Sequence, residues 1–171
     1  MKGTHPKIKL KLATIDLVLE VLGWLSLALL WVLTIVNYPG LPETVPIHFN
    51  ASGKADGYGS KATILLLPAI STVLYLAMTA INKYPHLFNY GGVKITMVNA
   101  LFHYTNSTRL FRVLKIKIVL IFTVIVHYTN SMAMGQDSGL GKWLLPFILG
   151  MIFIPIVFYI IYTLRNKREE V

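Results

Sequence analysis

The spacing of charged residues is the most informative pattern along this chain. Four stretches of 19 residues or more contain no Asp, Glu, Lys or Arg and are dominated by Leu, Ile, Val, Phe and Ala: residues 21–42, 62–82, 118–136 and 143–164. A bilayer core about 30 Å thick needs about 20 apolar residues in an α-helix. The pattern therefore predicts four transmembrane helices, over about residues 13–36, 62–82, 116–134 and 143–164.

The overall composition agrees with this interpretation. Only 13% of the residues are charged and 55% are apolar, whereas soluble domains carry about 25% charged residues. The length of 171 residues fits one domain, residues 1–171. Because there is no cysteine, disulfides, thiolate catalysis and cysteine-based metal sites are excluded. The expected fold class is an all-α integral membrane protein with a single membrane domain.

The distribution of basic residues predicts the orientation. Of the 16 Lys and Arg residues, 13 lie in the N-terminal tail, in the connection over 82–117 and in the C-terminal tail. Since basic residues accumulate on the cytoplasmic side, both termini are expected in the cytoplasm, and the loops over 37–61 and 137–142 outside. The basic residues flank the spans, so the net charge of +9 indicates topology and no nucleic-acid partner is expected.

A cytoplasmic amphipathic helix is predicted between the second and third spans, over about residues 96–114. Polar side chains recur there at spacings of three and four residues, as on one face of a helix: Asn99, His103, Asn106, Arg109 and Arg112. Such a helix lies at the membrane interface with its basic residues, Lys115 included, directed toward anionic headgroups.

Ionisable residues at membrane depth are functional candidates because they are costly there. Asp16 and Glu20 lie one turn apart in the first span, Lys117 opens the third span, and His127 lies toward the outer end of that span. Buried charges are normally paired, so an ion pair between Glu20 and Lys117 is the simplest structural interpretation. A proton or cation relay is the alternative.

The outward loop over 37–61 has the pattern of a small hairpin. Three prolines, Pro46 among them, keep its first half extended. The following residues alternate, so that His48 and Asn50 share one face of an extended segment. Gly53 then provides a residue that tolerates positive φ in a turn. The loop is therefore expected to cap the bundle between the first and second spans.

Lys61 opens the second span, where its charge opposes the helix dipole. An acidic neighbour, Asp56 or Glu43, is expected to compensate for it.

Metal binding and catalysis in this loop find little support in the sequence. His48 and Asp56 are metal-ligand types, but their spacing matches no metal signature, and His127 or Asp137 would have to complete a site. The chain has neither a Gly-x-Ser-x-Gly nucleophile motif nor a glycine-rich phosphate loop. No catalytic residue, metal or other cofactor is predicted, and a hydrogen-bonded structural cap is the favoured interpretation.

The order of residues in the loop resembles a known family. The pattern is Leu41-Pro42-x-x-x-Pro46-x-His48-Phe49-Asn50-x-x-Gly53-x-x-Asp56-Gly57-x-x-x-Lys61. It is similar to the uncharacterised bacterial membrane domain shared with SdpI-type toxin-immunity proteins. The resemblance implies a small, four-span, stand-alone member in the bacterial cytoplasmic membrane. It marks six candidate residues without an established catalytic role: Pro46, His48, Asn50, Gly53, Asp56 and Lys61.

The resemblance also frames the functional hypotheses. The better-known relative protects its producer from a secreted peptide toxin and helps to signal its presence, although it carries extra spans. We therefore expect a non-enzymatic protein in the lipid bilayer whose outward loop recognises an extracellular peptide or another envelope ligand. The alternative is a small membrane metalloenzyme around His48, Asp56 and His127, or an ion- or proton-coupled transporter using Asp16 and Glu20. The sequence indicates no oligomeric state.

Overall fold

The computed structural model describes residues 5–136 and 141–166. In this part of the chain there are four long helices, α1 (Thr14–Asn37), α2 (Leu66–Ile81), α3 (Ala100–Ala133) and α4 (Leu144–Asn166). Two strands, β1 (Thr44–Phe49) and β2 (Ala55–Ser60), follow α1. Short 3-10 turns precede β1, join β2 to α2 and follow α2; they are Tyr38–Gly40, Lys61–Leu65 and Pro85–Leu87.

Within the described residues, three helical segments are long and apolar enough to cross a membrane. They are Thr14–Gly40, Lys61–Ile81 and Leu144–Asn166. Their positions agree with the first, second and fourth predicted spans. Length and composition thus support the prediction of a membrane protein with transmembrane helices.

The third predicted span lies within α3, and this helix begins earlier than predicted. The expected interfacial helix over 96–114 is not a separate element, because α3 runs without interruption from Ala100 to Ala133. No proline or glycine occurs between residues 93 and 134 to break it. Its 34 residues extend about 51 Å at 1.5 Å per residue. The separation into two helices was therefore wrong.

The helix α3 occupies the centre of the bundle and packs against α1, α2 and α4. A buried apolar cluster joins three of these helices; its members are Leu27, Leu30, Tyr75, Val119 and Val126. The helix α4 contains no buried residue. Because a helix that is apolar on all sides suits a lipid environment, α4 fits the periphery of a membrane-embedded bundle.

The predicted hairpin between the first two spans is confirmed. The strands β1 and β2 pair antiparallel, with Thr44 opposite Ser60 and an irregularity between Pro46 and Phe49. A second apolar cluster, formed by Leu41, Val45 and Ile64, packs against the last turn of α3 at Ala133 and Met134. We call residues 44–60 the hairpin, and this side of the bundle the hairpin end.

The opposite side, which we call the charged end, is closed by the N-terminal segment. Tyr104 of α3 donates a hydrogen bond to the carbonyl of Pro6 over 2.8 Å. Tyr90 donates to the carbonyl of Pro85 over 2.8 Å and stacks on Tyr104 at a centroid distance of 5.7 Å. Burial raises the pKa of Tyr90 and of Tyr104 above the usual range, because water no longer stabilises a phenolate.

Candidate functional site

The hairpin brings His48 and Asp56 together across its two strands. The Nδ1 atom of His48 lies 2.5 Å from Oδ1 of Asp56, and the two side chains are 72% and 43% exposed. Gly57 faces His48 in the register, and a Cβ there would come within 3.0 Å of the His48 Cβ. The absence of a side chain at Gly57 thus leaves room for His48 where the strands meet. The result is a polar pair that is open to solvent.

Asn50 and Gly53 build the turn of the hairpin. The Asn50 Oδ1 atom accepts hydrogen bonds from the Ser52 amide over 3.0 Å, from the Ser52 hydroxyl over 2.7 Å and from the Lys54 amide over 3.1 Å. Gly53 has a φ of 76°, in the left-handed region that favours glycine. A Cβ on Gly53 would lie 2.6 Å from the backbone nitrogen of Gly141. The turn therefore rests on the segment that precedes α4.

Pro46 and Lys61 hold the base of the hairpin. Pro46 is buried and pairs with Tyr58 in the register. The Lys61 ammonium lies 2.9 Å from Oε1 of Glu43, and its amide donates to the Glu43 carbonyl over 2.9 Å. Of the two acids considered for Lys61, the structure selects Glu43, because Asp56 is engaged by His48. Four of the six candidate loop residues thus shape the hairpin, and the side chains of His48 and Asp56 are exposed on its surface.

A groove of about 320 Å³ lies between the hairpin and the helices α3 and α4, and we call it the hairpin groove. His48 and Asn50 lie at its polar edge, while Ile125, Leu144 and Ile148 contribute apolar side chains from the helices. Such a groove accommodates an apolar side chain beside a polar contact. The residues of α4 that line this groove were not predicted, because nothing in the sequence of α4 distinguishes one apolar position from another.

His127 does not join the pair at the hairpin. It is exposed on α3, and its ring packs edge-on against Tyr128 at 5.5 Å. Over residues 5–136 and 141–166 no group of three or more His, Asp or Glu side chains could hold a metal ion. Asp137, the other proposed contributor, lies outside the described residues.

An ion-pair network occupies the charged end and joins α1 to α3. Arg109 Nε lies 2.9 Å from Asp16 Oδ1, and Arg112 Nε lies 2.9 Å from Glu20 Oε1. Lys115 Nζ lies 2.6 Å from Glu20 Oε2. Asp16 also accepts a hydrogen bond from the Ala13 amide over 2.8 Å at the start of α1. We call these five charged residues, Asp16, Glu20, Arg109, Arg112 and Lys115, the ion-pair network.

Lys115 extends the network to α2. It is 1% exposed, donates to the Thr79 hydroxyl over 3.0 Å and lies 4.4 Å from the centroid of the Tyr75 ring. A cation over an aromatic face is attracted by the ring quadrupole. Three helices thus meet at one ammonium group.

The prediction of an ion pair between Glu20 and Lys117 was wrong, because Glu20 pairs with Lys115 and Arg112 instead. Lys117 Nζ contacts the Met151 sulfur on α4 at 3.7 Å. Two residues along a helix correspond to a rotation of about 200°, so Lys115 and Lys117 leave α3 on opposite sides. The expectation that Arg112 and Lys115 face lipid headgroups was wrong for the same reason, since both are buried toward α1.

One family model matches the segment that contains the hairpin. Residues 25–72 match the family described as a domain of unknown function, DUF1648; this segment covers the second half of α1, the hairpin and the first part of α2. An uncharacterised protein of Archaeoglobus fulgidus is 40% identical over 76 residues, which is 40% of this chain and 42% of the relative. No solved structure matches.

These findings confirm a resemblance to an uncharacterised domain that fits a membrane protein. The aligned part spans about two fifths of the archaeal relative, so the activity of the whole relative does not transfer. The relative is archaeal, and the bacterial origin and the link to SdpI-type proteins stay predictions. The chain is therefore similar to a domain of unknown function over the segment that contains the hairpin.

Proposed function

We propose that this chain is a non-enzymatic, four-span membrane protein whose hairpin recognises a peptide at the outer face of the membrane, as in SdpI-type immunity or signalling. The observation that carries the proposal is the exposed pair of His48 and Asp56 beside the hairpin groove. An apolar groove with a polar edge matches a peptide that offers one apolar side chain and one polar group.

The four-span topology is part of the proposal. Residues 118–136 are free of charge, and α3 packs against α1, α2 and α4, so the C-terminal part of α3 is proposed as the remaining span. An even number of spans puts both termini on the same side. The excess of basic residues in the two tails and in the 82–117 connection supports a cytoplasmic location for that side.

The exposure of the His48–Asp56 pair supports a role in recognition. Solvent-exposed ion pairs contribute little to folding stability, and the turn of the hairpin is held by Asn50 instead. A carboxylate that is 43% exposed beside an imidazole that is 72% exposed remains accessible to hydrogen-bond donors of a ligand. The pair thus contributes little to folding stability, while its polar atoms remain accessible to a ligand.

The test uses bacteria that are sensitive to the peptide toxin of the Sdp system. Cells that express the full chain should survive toxin concentrations that kill control cells. The variants His48→Ala and Asp56→Asn should lose this protection while remaining in the membrane fraction in normal amount. A matched control is Glu43→Gln, which removes the other exposed carboxylate of the same loop; its amide oxygen still accepts a hydrogen bond from Lys61, so protection should be retained.

Two results would contradict the proposal. Protection that is undiminished in both His48→Ala and Asp56→Asn would remove the hairpin from recognition. Absence of protection by the unaltered chain, when it is correctly inserted, would remove the immunity role.

A further inference from the structure

A second cavity, of about 520 Å³, lies beside the ion-pair network at the charged end. We call it the basic cavity, after the residues around it. Arg112 lines it from α3 and Glu20 from α1, Asn82 lies at the end of α2, and Lys9 and Lys83 come from the segments that precede α1 and follow α2. Ile8 and Leu12 add apolar surface. The cavity is distant in sequence from the hairpin and independent of its proposed function.

Positive charge is in excess around this cavity. Within the described residues, the network contains three cations and two carboxylates, and the lining adds two further cations, Lys9 and Lys83. Arg112 is only 6% exposed. Arg112 is already paired with Glu20, so the excess positive charge at the cavity is that of Lys9 and Lys83, which an anion would compensate.

Asn82 provides a second, independent observation. Its side-chain amide nitrogen donates to the Thr108 carbonyl over 3.1 Å, whereas its Oδ1 atom is buried without a hydrogen-bond partner. The residue is 9% exposed and lines the cavity. Buried acceptors are normally satisfied, so a hydroxyl donor at this wall of the cavity would complete the hydrogen bonds of Asn82.

We propose that the basic cavity binds the headgroup of an anionic phospholipid that carries a phosphodiester and a hydroxyl, such as phosphatidylglycerol. The phosphodiester is compensated by Lys9 and Lys83, while Arg112 keeps its ion pair with Glu20, and the headgroup hydroxyl donates to Asn82. The apolar surface of Ile8 and Leu12 accommodates the beginning of the acyl chains. Basic pockets between transmembrane helices are known to take lipid headgroups, and the apolar wall favours a lipid over a free phosphate ion.

The first part of the test measures which ligand binds. The full chain, purified in detergent and delipidated, is titrated with dioleoylphosphatidylglycerol and observed by native mass spectrometry. One bound lipid should be retained at activation energies that remove dioleoylphosphatidylcholine, which has the same chains without net charge. Dioleoylphosphatidylmethanol, which lacks the headgroup hydroxyl, should bind more weakly than phosphatidylglycerol.

The second part uses two variants with the same change in charge. The double variant Lys9→Gln/Lys83→Gln removes two cations from the cavity without touching the ion-pair network. Affinity for phosphatidylglycerol should fall about fivefold per lysine, or about 25-fold in total. The matched control Lys7→Gln/Lys94→Gln removes two exposed lysines that do not line the cavity, and should change the affinity less than about twofold.

Several outcomes would overturn the proposal. Equal retention of phosphatidylcholine would show that charge does not matter, and equal losses in the two double variants would show an unspecific electrostatic attraction. Binding of inorganic phosphate at the same site, without retention of phosphatidylglycerol, would exclude the lipid as the occupant. The His48→Ala variant should keep its lipid affinity, so failure at the hairpin and failure at the cavity are distinguishable.

Discussion

Lys115 is the residue at which the packing of the bundle is most sensitive to a single change. Replacing it with methionine keeps the length of the side chain but removes its charge. The substitution deletes the contact with Glu20 at 2.6 Å, the hydrogen bond to Thr79 at 3.0 Å and the cation–π contact with Tyr75 at 4.4 Å. All three involve an ammonium group on a side chain that is 1% exposed.

The expected loss follows from these contacts. Removing one member of a buried ion pair costs about 3–5 kcal/mol. Glu20 retains Arg112 as a second partner, so we expect a value near the lower end, about 3 kcal/mol. Lys117→Met is the matched control, because it makes the same chemical change two residues further on, where the ammonium meets only the Met151 sulfur among its described contacts. For this control we expect a loss below about 0.5 kcal/mol.

The assay is reversible unfolding of the full chain in mixed micelles with increasing sodium dodecyl sulfate, followed by the intrinsic fluorescence of its three tryptophans, Trp24, Trp31 and Trp143. A double-mutant cycle that combines Lys115→Met with Glu20→Gln isolates the pair and should give a coupling energy of about 1–2 kcal/mol. Equal losses for Lys115→Met and Lys117→Met, or a coupling energy near zero, would refute the assignment of Lys115 as the partner of Glu20.

Three further predictions concern single contacts. Gly23→Ala should destabilise the bundle by about 1–3 kcal/mol in the same unfolding assay through overpacking, because a Cβ there would lie 2.5 Å from the Tyr75 hydroxyl; Tyr75→Phe should recover much of this loss, and no recovery would contradict the clash. Asn50→Ala should increase amide hydrogen exchange in the hairpin at least about tenfold, since three hydrogen bonds worth about 1 kcal/mol each are lost; unchanged exchange would argue against Asn50 as the turn residue. Because burial raises the pKa of Tyr90 above its ordinary value of 10.0, the contribution of neutral Tyr90 to folding stability is complete below pH 10.0 and is lost as pH rises through the folded pKa. Phenolate absorbance should therefore show that Tyr90 stays neutral when exposed tyrosines ionise, with Tyr90→Phe as the control; ionisation together with the exposed tyrosines would contradict its burial.

The sequence predicted the apolar helices and the hairpin because the signals for both are local. A stretch without charged residues, such as the one between Lys61 and Lys83, can be counted in the sequence, and its length sets the length of a span. The turn is equally local, since Asn50 bonds to residues two and four positions away and Gly53 supplies the positive φ. The contact of His48 with Asp56 follows once the two strands pair.

The partners of the buried charges were not accessible in the same way. Arg109, Arg112 and Lys115 lie on one face of α3 at intervals of three, and the same periodicity fits either a surface directed at lipid headgroups or a surface directed at a neighbouring helix. The choice depends on where α1 lies, which is a matter of tertiary packing. Asp16 and Glu20, one turn apart on α1, form the complementary half of this surface, and combining the two periodic patterns would have identified the pairs.

The position of α4 has a consequence for any measurement at the hairpin groove. One wall of the groove consists of Leu144 and Ile148, yet the helix that carries them has no buried residue and makes its main helical contact with α3. In a membrane, acyl chains contact the side of α4 that faces away from the bundle. They therefore influence how far this wall lies from the hairpin. For the proposed peptide ligand, we therefore expect affinity to depend on bilayer thickness and lateral pressure, and the dissociation constant to differ between a micelle and a lipid nanodisc.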